Sequence, residues 1–385
     1  MPSPAAANSA QPQLSVSKHG VLLSWIERTG DLATLKFAER TASGWTTPKT
    51  VASGRNWFVN WADVPSAIRL PSGAIVAHWL QKSAASTYAY DVRLSYSTDD
   101  GKTWSPSFTP HHDGTQTEHG FASIVPLGDG FGLVWLDGRN IGGGEGHDGH
   151  AKGSMTVRYT RFDKAFKQVE ETEVDARVCE CCPTAAAVTS EGMIAAYRNR
   201  SDDEIRDNYV TRLVGGKWTT PQAVFNDNWK IAACPVNGPS LSANGNTVAM
   251  SWFTAKDDQP RAFAAFSSDA GKTFSAPVRV DDSGTLGRVD IELMPNGSAL
   301  ATWIEFANQK ASFRARTIDR SGTKSAPVTV SEMAGSRASG YPRSAIANGE
   351  VVFAWTEAGA GGALQVKTAT AKLDAPLRRT SQDRH

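Results

Sequence analysis

All four cysteines of this 385-residue chain fall in two short segments. Three lie in Arg177-Val178-Cys179-Glu180-Cys181-Cys182-Pro183-Thr184 and the fourth in Ala233-Cys234-Pro235-Val236-Asn237. Thiolates suit soft and borderline ions, above all Cu(I) and Zn(II), so the first chemistry this cluster suggests is metal binding. In an extended segment Cys179 and Cys181 share one face, and Cys182 turns the other way unless Pro183 kinks the chain. The Gly-rich stretch over residues 142–150 adds His147 and His150, and His119 is a further imidazole. The candidate ligands are therefore Cys179, Cys181, Cys182, Cys234, His119, His147 and His150, with copper favoured and zinc the alternative ion. An even cysteine count also fits two structural disulfides in an exported protein, and a redox-active pair is a third option.

A second unusual stretch, residues 198–207, reads Arg-Asn-Arg-Ser-Asp-Asp-Glu-Ile-Arg-Asp. Alternating charge commonly makes a solvated face. Close to a site it also supplies pairs that hold loops in place. Arg198, Arg200, Asp202 and Glu204, with Asp137 and Arg139 from an isolated Asp-Gly-Arg, are the candidates for such a network.

The elements that must position these groups come from a repeat. Seven short apolar runs end in an aromatic residue, at Trp25, Trp79, Trp135, Tyr197, Trp252, Trp303 and Trp355, spaced by roughly 50 to 60 residues. Each run is preceded by a Gly-containing turn and followed by an alternating segment, and most units continue to a fourth segment such as TTPKTV or SAPVRV. Four short strands per unit with period-two alternation describe one propeller blade. The expected fold is an all-β, seven-bladed propeller of four-stranded antiparallel blades, with a six-bladed ring as the alternative. Residues 13–373 form one domain in this reading. Residues 1–12 are a flexible start or a ring-closing strand, and 374–385 a polar tail. The last unit lacks a clear fourth strand, so the ring closes with a borrowed strand or leaves that blade short. In a propeller the segments entering the inner strands and the loops after the second strands share one face. The two cysteine segments enter neighbouring blades and should meet near the axis.

Two units carry a sharper turn, Ser97-Thr98-Asp99-Asp100-Gly101-Lys102-Thr103-Trp104 and Ser267-Ser268-Asp269-Ala270-Gly271-Lys272-Thr273-Phe274. An Asp can accept backbone N–H groups within such a hairpin, Gly tolerates positive φ, and the aromatic packs back between blades. The pattern, carried by Ser97, Asp99, Gly101 and Trp104 and by Ser267, Asp269, Gly271 and Phe274, resembles the Asp-box, or BNR repeat, of the sialidase superfamily. The resemblance implies structural turns on the face away from the ligand site. It also implies, for a sialidase-like glycoside hydrolase, an arginine clamp, a Tyr nucleophile tuned by a Glu, and an Asp acid/base. The matching candidates are Arg288, Arg343, Tyr341, Glu204 and Asp63. Arg69, beside the Pro71-Ser72-Gly73 turn, falls at the wrong end of its strand for a clamp. A disulfide-stapled binding propeller without chemistry is a third reading.

Forty basic against 39 acidic residues leave a net charge of +1, which gives no footprint for nucleic acid. No apolar run approaches the ~20 residues of a membrane span. No nucleotide cofactor is expected; a metal ion, a small molecule or a glycan is the expected class of partner. The small, polar start Met-Pro-Ser-Pro-Ala-Ala-Ala is read as a mature N-terminus, which points to the periplasm or to secretion.

Overall fold

Each of the seven aromatic-ended runs is the second strand of its own antiparallel sheet. The computed structural model describes residues 2–141 and 153–373. The second strands are Gly20–Thr29, Ile75–Lys82, Gly130–Asp137, Gly192–Arg198, Thr247–Thr254, Ala299–Ala307 and Glu350–Ala358. The inner strands before them are Ser9–Ser17, Ser66–Arg69, His119–Leu127, Ala185–Thr189, Ser240–Asn244, Thr285–Leu293 and Arg343–Ala347. Every sheet is a meander running outward from the axis, and the fold is a seven-bladed β-propeller. Among the described residues the only helical pieces are three short 3₁₀ turns, and no helix is long and apolar enough to cross a membrane.

The aromatic repeat has a packing cause. Trp25, Trp135, Tyr197 and Trp303 are fully buried, and each repeat aromatic packs on the blade before its own. Trp79 joins Leu22, Leu35 and Phe37 of blade 1; Trp135 joins Val92 and Leu94 of blade 2; Trp252 joins Ile194 and Val210 of blade 4. Trp25 closes the ring against Ala354 and Val366 of blade 7. A large planar side chain from each second strand thus fills the wedge that opens between twisted neighbouring sheets.

The seventh sheet has three strands, Arg343–Ala347, Glu350–Ala358 and Leu364–Lys372, so that blade stays short. The first strand, Ser9–Ser17, does not serve as its outer strand, because it pairs with Gly20–Thr29 as the innermost strand of blade 1. Side chains seal the junction instead. Ser9 Oγ accepts the Val366 N–H at 3.0 Å, and Arg40 pairs with Glu350 at 3.1 Å.

The two sharp turns share one hydrogen-bond scheme. Ser97 Oγ accepts Gly101 N at 2.8 Å, Asp99 Oδ1 accepts Thr103 N at 2.9 Å, and Asp99 Oδ2 accepts the Thr103 hydroxyl at 2.7 Å. Ser267, Asp269, Gly271 and Thr273 repeat it at 2.9, 2.9 and 2.6 Å. Gly101 and Gly271 have φ of 76° and 82°, the left-handed region that glycine enters at least cost. These hydrogen bonds to the ionised form hold Asp269 down at about 2. Arg69 bonds the Gly73 carbonyl at 2.6 Å and Asp100 at 2.8 Å, which puts these turns on the face opposite the cysteine segments.

Candidate functional site

The outer strand of blade 3, Gln168–Val178, ends where the cysteine segment begins, and the inner strand of blade 4 starts at Ala185. Between them the chain turns instead of running extended. The sharing of faces expected for an extended segment therefore gives way, and all three sulfurs come together. Cys179 Sγ lies 3.9 Å from Cys181 Sγ and 3.4 Å from Cys182 Sγ. The segment is pinned at both ends: Cys179 N–H donates to the Arg198 carbonyl at 2.9 Å, and the Thr184 hydroxyl donates to the Phe121 carbonyl at 2.7 Å.

The three thiols are buried, at 1, 5 and 1 % exposure, and belong to an apolar cluster with Val178, Tyr197, Phe121 and Tyr341. Cys234 enters with the next blade, is exposed, and is within hydrogen-bonding reach of Cys181. The approach of the two segments requires Gly238, because a Cβ there would collide with the Pro183 carbonyl. No S–S bond joins any of the four sulfurs.

Burial opposes ionisation of Cys179, but hydrogen bonds from Cys181 and Cys182 and the Arg206 guanidinium hold its pKa well below the usual thiol value. Hydrogen bonding to Cys179, Cys182 and Cys234 drives Cys181 well up. Burial and the neighbouring Cys179 push Cys182 to about 12. Of the three sulfurs Cys179 is the one whose ionised form is favoured, with Arg206 Nη1 at 3.2 Å from its Sγ.

Arg206 belongs to a closed ring of charges. It bonds Glu180 at 2.9 Å and Glu204 at 2.9 Å, and Arg200 bonds Glu204 at 2.5 Å and also Glu180. Beneath it Arg198, 1 % exposed, donates to the carbonyls of Asn237, Arg206 and Phe253 at 2.6–3.1 Å and lies 5.1 Å over the Trp229 ring. Arg198, Arg200 and Glu204 thus lie with Arg206 in one network beside the cysteine segment. Asp202 does not: its side chain is 91 % exposed and pairs with Arg177 at the rim. Glu180 and Arg206 complete the ring but were not singled out from sequence. Glu180 lies inside the cysteine motif, and that position was the available signal.

His119 is not at the thiols. Its ring stacks on His111 with centroids 3.8 Å apart, and it faces Asp91 at 3.5 Å, Asp113 at 3.2 Å and Asp137 at 3.8 Å. Asp137 and Arg139 join that group, paired at 2.8 Å, and do not join the ring around Cys179. His147 and His150 lie outside the described residues.

The residues implied by a sialidase mechanism come together only in part: Arg343 lies 5.4 Å over the Tyr341 ring, and Tyr341 stacks on Trp61 with centroids 6.0 Å apart, while Glu204 and Asp63 stand elsewhere. The Tyr341 hydroxyl donates to the Val236 carbonyl at 2.7 Å, and the tyrosine is 2 % exposed. Glu204 is committed to Arg200 and Arg206. Asp63, fully buried in blade 2, accepts Phe121 N at 2.8 Å and Tyr90 Oη at 3.2 Å. Arg343 faces Asp290 at 3.8 Å inside the channel, within a cavity of about 210 Å³ that Asp63, Thr184, Ser240 and Glu292 also line. Arg288 lies 4.7 Å over the Trp61 ring and is held by the Ser336 and Gly340 carbonyls.

No protein-family model and no curated protein matches the chain. Solved structures do. A protein of unknown function from Dyadobacter fermentans DSM 18053 superimposes with a TM-score of 0.53 at 14% identity, over 95% of each chain. The polysaccharide lyase Uly1 gives 0.57 at 10% identity, over 95% of this chain and 90% of its own. The K499G mutant of the NanB sialidase from Streptococcus pneumoniae gives 0.50 at 9% identity, over 94 and 93%. At these identities the likeness is one of fold: the chain shares its propeller architecture with sialidases and polysaccharide lyases.

Proposed function

We propose that this protein binds a soft metal ion, Cu(I) before Zn(II), through Cys179, Cys181 and Cys182, with Cys234 as a fourth donor at the mouth. The observation that carries the reading is the 3.9 and 3.4 Å spacing of buried sulfurs. Thiolates held ~2.3 Å from a central ion stand ~3.8 Å apart, so little movement separates this cluster from a thiolate cage. The disulfide reading needs a ~2.05 Å contact, from which every pair in the cluster would have to close. The Arg206 guanidinium at Cys179 offsets one negative charge, which suits Cu(I) held by two thiolates, a complex of net charge −1. We place the function in an exported compartment, where a bound metal would keep these thiols from oxidation, and read the two Ser-x-Asp-x-Gly turns as Asp-boxes with a structural task.

The test is elemental analysis of the purified protein together with a thiol count after denaturation. Near-stoichiometric copper or zinc and four thiols released on unfolding support the site, and the double variant C179S/C181S should lose the metal with little change in thermal stability. No metal, no free thiols and a large loss of stability in the variant would establish disulfides in its place.

One observation favours a second reading, a glycan-directed propeller. On the cysteine face a cleft of about 550 Å³ is lined by Trp61, Asn60, Asn8 and Thr356, and Arg288 and Arg337 lie 4.7 and 5.9 Å over the Trp61 ring. Two guanidinium groups beside one aromatic ring suit a sugar carboxylate. Binding of uronate- or sialate-containing oligosaccharides, lost in R288Q, would support it.

A further inference from the structure

The structure holds a second constellation that the thiol site does not use, between blades 2 and 3. His111 follows blade 2, and His119 opens the inner strand of blade 3. Their rings stack at 3.8 Å with 6° between planes. They are 6 and 0 % exposed, too deep for solvent to satisfy the ring nitrogens.

The two ends of the stack differ. At one end Asp113 Oδ2 faces His111 Nδ1 at 3.3 Å and His119 Nε2 at 3.2 Å. Arg139 stands behind it, 3.4 Å from Asp113 and 2.8 Å from Asp137. This end therefore already has its cation. At the other end Asp91 Oδ1 faces His119 Nδ1 at 3.5 Å and His111 Nε2 at 3.9 Å. Neither of those buried nitrogens has a hydrogen-bond partner, and at the first end His119 Nε2 and Asp113 Oδ2 also lack one of hydrogen-bond geometry. The donor atoms of Asp91, His111 and His119 all lie within 4.8 Å of one another.

We propose that Asp91, His111 Nε2 and His119 Nδ1 form a binding site for a divalent first-row metal ion, separate from the thiol cluster. A carboxylate on the far nitrogen of each imidazole is what fixes the tautomer and ring orientation of metal-binding histidines. Asp113 serves both rings at once. Its Oδ2 is 3.3 Å from His111 Nδ1 and 3.2 Å from His119 Nε2, and in the neutral tautomers that carry their protons on those two nitrogens the lone pairs of the opposite nitrogens face Asp91. Two imidazoles and one carboxylate suit Zn(II), Mn(II) or Fe(II), and open positions remain for water. Entry is from the side of Asp91, whose side chain is 23 % exposed. Arg139 bars the other end by its charge.

Titration of metal-free protein with Co(II) reads both sites separately, since thiolate ligation gives intense near-ultraviolet charge transfer and His/Asp ligation gives only weak visible bands. One equivalent of cobalt with weak visible bands is expected in addition to any thiolate species, its affinity falling at least tenfold in D91N. Cobalt that appears solely as the thiolate species, or unaltered binding in D91N, would overturn the proposal. Should D91N fail to fold, pulsed EPR of the unmodified protein with Mn(II) decides the matter: couplings to two imidazole nitrogens support the site, and their absence refutes it.

Discussion

Arg206 holds one guanidinium nitrogen 3.2 Å from Cys179 Sγ and 2.9 Å from Glu180, so the cation that supports the thiolate is itself fixed by the carboxylate next to it in the cysteine motif. The pair ties loop to loop: Arg206 follows the second strand of blade 4, and Cys179 enters the first.

Replacing that cation should separate charge from packing. R206Q is expected to raise the Cys179 pKa by one unit or more, because it removes a positive charge at contact distance from a buried thiolate. Ultraviolet titration of the thiolate would read it. R206K, which keeps the charge, should stay near the unmodified value. R206Q should also cost about 3–5 kcal/mol of stability, since it strands Glu180 and Glu204 partly unpaired in a buried ring.

Gly238 permits the two cysteine segments to touch without contributing a ligand. G238A places a methyl group against the Pro183 carbonyl and should force the segments apart. The expected outcome is loss of the Cys181–Cys234 contact and at least tenfold weaker metal binding, measured by competition with a chelator of known affinity. Undiminished binding would mean that Cys234 is dispensable.

Asp63 gives the fold a pH dependence of definite sign. Burial, helped by Glu118, raises its pKa to about 8 in spite of the Phe121 N–H. The unfolded chain releases this proton near ~3.9. The favourable contribution is therefore complete below about 4 and is lost as pH rises toward 8, by at most ~1.4 kcal/mol per pH unit. D63N keeps an acceptor for Phe121 N–H and cannot ionise. Thermal melts from pH 5 to 8 should show the variant gaining on the unmodified protein as pH rises; parallel curves would exclude a buried, protonated Asp63.

Ser97 tests the structural turns. Its hydroxyl oxygen accepts the N–H of Gly101, a buried residue, at 2.8 Å. S97A leaves that donor unmatched and should cost ~1–3 kcal/mol by urea unfolding, with metal content unchanged because the turn lies on the opposite face.

The propeller was legible because its signal is repeated. One aromatic per second strand, set by the wedge between blades, recurs seven times from Trp25 to Trp355, so an error at one unit does not disturb the count. The thiol cluster was legible in part, since Cys179, Cys181 and Cys182 adjoin in sequence and Cys234 occupies the matching place one blade on. The assignment of His119 to it failed. His119 opens an inner strand on the same face, but its neighbours Asp91 and His111 come from blade 2, and nothing in their spacing marks them as partners.

By itself, the sequence determined the periodic part of this protein: seven sheets, their buried aromatics, the two Asp-centred turns and the grouping of all four cysteines on one face. These follow from local rules of alternation, turn chemistry and strand order, which act along the chain. Only the tertiary structure decided which charges meet. It turned the cysteine segment so that three sulfurs converge, set Arg206 against Cys179, sent Arg343 into the channel and Asp202 to the rim, and stacked His119 on His111. Those outcomes depend on side-chain reach across blade junctions, over distances of a few ångströms between residues tens of positions apart, and no local pattern in the chain encodes such distances.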